Sequence, residues 1–175
     1  MTFKIAGVQM DIALMDKAAN LAAMEMALRE TTRHGARLTI FPECAVTGYC
    51  FDSLEEAMPY AESIPGESSQ FFEKLCQETD SFVVYGALEK IDDKLFNACV
   101  LVGPAGVIGS YRKIHLPFLG IDRFTTPGDR PFEVHDLGDI RVGMNICYDG
   151  SFPESSRVMA LGGADLVVLP TNWPP

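Results

Sequence analysis

Three side chains able to do acyl chemistry stand just past runs of β-forming residues. Glu43 follows Arg37-Leu-Thr-Ile-Phe41, Lys113 ends the run that begins at Val107, and Cys147 follows the run Ile140–Ile146. A carboxylate can take up and return a proton, an ammonium can stabilise an oxyanion, and a thiol can attack an acyl carbon. Each residue alone has a plainer reading: a solvated loop carboxylate, a surface charge, a small buried hydrophobe. What sets them apart is shared position. In sheets built with crossover helices the carboxyl ends of the strands converge on one rim, where ligands bind. Cys147 also stands between a strand and a capped helix, a position like a nucleophile elbow. A helix N-terminus and a neighbouring ammonium there would both favour the thiolate.

The elements that must hold these residues can be read from local signals. Phe3–Met10 reads as a strand, and Asp16 offers an N-cap to a helix with Leu21, Met24 and Leu28 at three-and-four spacing, stopped by Gly35. The strand Arg37–Phe41 then completes a βαβ unit, for which a parallel sheet is expected. Ser53-Leu-Glu-Glu56 has the form of a capping box opening a short helix that Pro59 shortens or kinks. Ser69–Thr79 reads as a second helix, and Phe82–Tyr85 with Leu95–Val102 as a β-hairpin. Residues 114–131 have no period and read as a long loop of the kind that is usually functional or disordered. Ser151-Phe-Pro-Glu154 predicts a second capping box, opening a helix to about Leu161, and Asp165–Leu169 predicts a final buried strand.

Composition narrows the function classes. The chain has 175 residues, 47% hydrophobic and 22% charged, about one domain with enough apolar content for a core. Acidic residues number 24 against 14 basic, a formal charge of −10, which disfavours a nucleic-acid partner. No basic, apolar and small-residue sequence of a secretory signal opens the chain, and no uncharged run reaches the roughly 18 residues of a membrane helix. A soluble, cytoplasmic protein with no membrane partner is expected. Five cysteines without a C-x-x-C pair argue against a disulfide framework, and three scattered histidines argue against zinc.

The local words around the three residues are more specific. Phe41-Pro-Glu43, Tyr111-Arg-Lys-Ile-His-Leu116 and Asn145-Ile-Cys-Tyr-Asp149, with Phe152-Pro-Glu154 and Arg157 following, resemble the nitrilase, or carbon–nitrogen hydrolase, superfamily. Thr47-Gly-Tyr49, Pro127-Gly-Asp129, Gly163-Ala-Asp165 and Pro170-Thr-Asn-Trp173 extend the resemblance over essentially the whole chain.

The resemblance implies an α/β fold, a four-layer α-β-β-α sandwich, usually forming homo-oligomers by dimerisation. It implies a catalytic Glu43, Lys113 and Cys147, and a thioester formed from a small linear amide or N-carbamoyl substrate. The Tyr148 amide would be a second oxyanion donor. Tyr49, Asp122, Tyr148, Asn172 and Trp173 are the substrate-binding candidates, and no metal or organic cofactor is implied. Tyr148-Asp149 after the nucleophile is closer to the amidase branches than to nitrilases with Trp-Glu. Many members carry a second glutamate in the loop after the lysine, where this chain offers only Asp122. Family members also continue past the Pro-Thr-Asn-Trp segment, so residues 1–175 read as a single domain incomplete at its C-terminus. An inactive truncated fragment and an acyltransferase using the same triad are the alternatives.

Overall fold

Asp16 caps the first helix as its position predicts: the carboxylate accepts from Ala19 N–H at 2.9 Å, and α1 runs Lys17–Arg33. The computed structural model describes residues 2–173. The helix joins two short parallel strands, β1 (Ile5–Gly7) and β2 (Leu38–Ile40), paired Ile5 to Leu38. β2 also pairs in parallel with β3 (Phe82–Ile91), which turns through Asp92-Asp93 into β4 (Lys94–Gly103). β5 (Gly106–Arg112) completes a five-stranded sheet of order β1-β2-β3-β4-β5. The hairpin strands are longer than their apolar runs because Leu88–Ile91 continue the ladder as far as Lys94.

Between β2 and β3 lie α2 (Leu54–Ala57) and α3 (Glu67–Thr79). Ser53 caps α2, accepting from Glu56 N–H at 3.1 Å, and Pro59 ends it in a 3-10 turn over Met58–Tyr60. A second sheet holds β6 (Val134–Asp136) antiparallel to β7 (Arg141–Met144), with β8 (Leu166–Val168) parallel to β7. The last helix, α4, spans Pro153–Leu161.

Alternation along the strands makes the layers. Val83, Tyr85, Val100 and Val102 meet Met24 and Leu28 of α1 and Phe72 and Leu75 of α3. Val84, Cys99 and Leu101 face the other way, onto Val142, Met144 and Val168 of the second sheet. Each large side chain buried this way contributes roughly 1.5–3 kcal/mol. α4 covers the outer face of the second sheet, where Met159 lies so close that a Cβ on Gly143 would sit 2.5 Å from its sulfur. The result is the expected α-β-β-α order.

Two expectations need correction. The predicted capping box at Ser151 is absent: Ser151 closes a preceding 3-10 turn, and α4 starts from Phe152 without a side-chain cap. Pro153 sets the entry instead, its fixed φ and missing N–H suiting the first helical position. Strand β6 was not expected, because three residues are too few to show a period.

Candidate active site

Each of the three candidates is fixed by backbone before its side chain makes any contact. Beyond β2, Phe41 N–H donates to Val84 O at 2.8 Å and Gly86 N–H to Pro42 O at 3.1 Å, which lays the Glu43 segment directly on β3. Lys113 N–H donates to Asn97 O at 2.8 Å, prolonging the β4–β5 pairing by one residue. Cys147 N–H donates to Pro170 O at 3.0 Å. Its φ of 44° is in the left-handed region, so the nucleophile candidate occupies a strained strand-to-turn elbow. Cys44, next to Glu43, is left-handed as well, at 50°.

The side chains converge. Lys113 Nζ donates to Glu43 Oε1 at 2.7 Å and to Asp122 Oδ2 at 2.5 Å, and all three side chains are fully buried. Asn97 Nδ2 lies 2.8 Å from Glu43 Oε1 and 2.8 Å from Asp122 Oδ1, so one amide bridges both carboxylates. Tyr49 donates its hydroxyl to Asp122 Oδ2 at 2.8 Å. Glu43 Oε2 accepts from Asn172 N–H at 3.1 Å, and the Cys147 thiol lies near enough to the Glu43 carboxylate and the Lys113 ammonium for both charges to act on it. The elements that carry Glu43, Lys113 and Cys147 therefore meet at one point, between the two sheets.

The carbon-nitrogen hydrolase family model matches residues 4–175. The chain belongs to that family. It is 43% identical over 170 residues to a nitrilase of Pyrococcus abyssi, covering 97% of this chain and 64% of the relative. It is 33% identical over 179 residues to the omega-amidase NIT2 of Homo sapiens, covering 97% and 63%. The chain thus spans less than two thirds of the length of these curated relatives. The crystal structure of an amidase from Nesterenkonia sp. superposes with a TM-score of 0.83 at 23% identity, covering 99% of this chain and 66% of that one. A carbon-nitrogen hydrolase from Helicobacter pylori G27 superposes at 0.84, with 23% identity and coverage of 95% and 59%. These two likenesses establish the nitrilase-type fold.

The electrostatics of the site follow from burial. Loss of water pushes the Glu43 carboxyl above its ordinary value, and the Lys113 ammonium only partly offsets this. Burial alone would lower Lys113, but Glu43 and Asp122 outweigh it and hold the ammonium above its usual range. The Cys147 thiol is pushed up to about 12, first by burial and then by Glu43, with Lys113 opposing. Lys113 favours the thiolate as expected, but burial and the Glu43 carboxylate outweigh it. The ammonium spends its charge on two carboxylates, and the elbow leads into a five-residue 3-10 turn instead of directly into a long helix.

The structure also locates the substrate-binding candidates. Asp122 is buried beneath Lys113, and Tyr49 stands over both with its hydroxyl held protonated by burial and by Asp122. Tyr148 is 40% exposed, its ring edge-on to Phe152. Asn172 and Trp173 line a cleft of about 400 Å³ with Gln9, Met10 and Phe41, and Asn172 also reaches a second cleft shared with Tyr49. Of the amides that lead the elbow turn, Cys147 donates to Pro170 O and Asp149 to Ile146 O, whereas Tyr148 N–H has no acceptor among the described residues.

Sequence reasoning missed Asn97 as a site residue. Its one signal is an amide inside the otherwise apolar run Leu95–Val102. Asp149 and His115 were seen only as motif letters. Their contacts are direct: Asp149 Oδ1 lies 2.7 Å from His115 Nδ1 and accepts His115 N–H at 3.0 Å.

Proposed function

We propose that this chain carries the catalytic apparatus of a hydrolase of non-peptide carbon–nitrogen bonds, acting on a small linear amide or N-carbamoyl compound. The observation that carries the reading is the convergence of Cys147 on the buried Glu43–Lys113 ion pair, whose charges both act on its thiol.

With a neutral thiol, the reaction starts with proton transfer. Cys147 Sγ attacks the carbonyl carbon while its proton passes to Glu43, and the carbonyl electron pair moves onto oxygen. Lys113 Nζ and Tyr148 N–H stabilise that oxyanion, where charge develops only in the tetrahedral state. Collapse breaks the C–N bond, and Glu43 returns the proton to the leaving nitrogen. Water then attacks the thioester, giving a proton to Glu43. The C–S bond breaks and the proton returns to the sulfur. Lys113 stays charged throughout, because both carboxylates favour its ammonium form. The cleft lined by Asn172 and Trp173 opens next to the Phe41-Pro42 segment that leads into Glu43.

The test is ammonia release from a panel of small amides, nitriles and N-carbamoyl compounds. Activity on an amide or carbamoyl compound that disappears in Cys147→Ala is expected. Full activity in Cys147→Ala, with protein free of host amidases, overturns the mechanism.

A further inference from the structure

The two oxyanion donors of the proposed mechanism come from different elements: Lys113 from the end of β5, the Tyr148 amide from the elbow after β7. Something must hold them at a fixed separation, since a displacement of about 1 Å can cost about 10²-fold in rate. One side chain spans the gap. Asp149 is fully buried, and its two oxygens take four donors. Oδ2 accepts from Tyr111 O–H at 2.9 Å and from Ile146 N–H at 3.1 Å; Oδ1 takes His115 N–H at 3.0 Å and His115 Nδ1 at 2.7 Å. Tyr111 and His115 flank Lys113 two residues to either side, while Ile146 and Asp149 flank Cys147 and Tyr148. The His115 ring also stacks on Phe152 at 3.9 Å, closing the contact from the α4 side.

We propose that Asp149 is the positioning residue of the oxyanion pocket, clasping the lysine segment to the nucleophile elbow. The proposal rests on the nucleophile role given to Cys147 above. Its chemistry requires a carboxylate. An asparagine fills the same space, but in either orientation its NH2 group faces a backbone N–H, that of Ile146 or that of His115. One contact on one side of the clasp is then lost.

The experiment separates thiol reactivity from oxyanion binding. Alkylation by iodoacetamide, located at Cys147 by peptide mass spectrometry, needs no oxyanion donor. Propionaldehyde protects the thiol by forming a thiohemiacetal: the S–C bond forms, the C=O π bond opens, and the thiol proton reaches the new oxygen through Glu43. That adduct does use the pocket. In Asp149→Asn, alkylation without aldehyde should stay within about threefold of the parent, while the aldehyde concentration needed for protection should rise at least about tenfold. His115→Gln, at a half-buried position that burdens folding less, should raise it by a smaller factor. Parent-like protection in folded Asp149→Asn and His115→Gln overturns the clasp. So does a parallel loss of alkylation and protection in His115→Gln, which would mark a general structural role. No alkylation of Cys147 in the parent protein overturns the nucleophile reading instead.

Discussion

Lys113 Nζ and Glu43 Oε1 lie 2.7 Å apart with neither side chain open to solvent, and Asp122 holds the same ammonium from its other side at 2.5 Å. One cation therefore serves two buried carboxylates. Lys113→Ala should lower kcat roughly 10²-fold or more, through loss of an oxyanion donor. It should also destabilise the fold by about 3–5 kcal/mol, because two buried carboxylates lose their counter-ion. Steady-state kinetics and urea unfolding check both parts. A loss confined to KM would make Lys113 a uniform binding group.

The Cys147 thiol, pushed up to about 12, keeps its proton at neutral pH, and Glu43 must remove it as attack proceeds. Glu43→Gln should therefore slow iodoacetamide alkylation of Cys147 by about tenfold or more near neutral pH. In the parent protein the alkylation rate should keep climbing with pH toward about 12. Cys50, exposed on a loop, is the internal control and should be unaffected by the substitution. A rate at Cys147 that levels off below about pH 9 would show an ordinary thiolate.

Asn97 offers a way to move Glu43 without touching it. Burial holds the carboxyl above its ordinary value, and the Asn97 amide is one of the groups opposing that rise. A base with a raised pKa loses its proton only at higher pH, so kcat/KM should fall as pH drops through that raised value. Asn97→Leu removes a donor that favours the anion and should shift this acid limb to still higher pH. The deficit should then be larger at about pH 6 than at about pH 8. An unshifted limb in the kcat/KM–pH profile would mean that Asn97 only fills space.

These residues also mark where the sequence was legible. The Asp16 and Ser53 caps and the three catalytic candidates each depend on signals within a few residues, so they could be read in place. Asn97 could not: its partners Glu43 and Asp122 lie 54 and 25 positions away, and only the pairing of β4 with its neighbours brings them together. The resemblance makes Asp122 a substrate-binding candidate, and its ion pair with Lys113, nine positions away, is set by the way the loop turns inward. The balance at the Cys147 thiol has a similar origin. Charge proximity was visible in the sequence order, and the burial that outweighs it was not.

Gly86 is the sharpest case of a residue whose importance is purely spatial. It lies in the middle of β3, where glycine is ordinarily a liability, and nothing in its local sequence explains it. A Cβ there would stand 2.4 Å from Cys44 N, 2.6 Å from Pro42 O and 2.7 Å from Glu43 Cα. All three are backbone atoms, so no flexible side chain can yield. Gly86→Ala must push the Glu43 segment off the strand, breaking the Gly86 N–H to Pro42 O bond that sets it. The expected outcome is a loss of about 1–3 kcal/mol in stability and a larger proportional loss of activity, since Glu43 moves away from both Cys147 and Lys113. Gly7→Ala in β1 is the matched control. A Cβ at that position meets nothing within 4 Å, so stability should be unchanged or slightly raised. Thermal melts and ammonia release on the two variants settle the comparison. If Gly86→Ala matched Gly7→Ala in both, the close approach of β3 to the Glu43 segment would not be what positions the base.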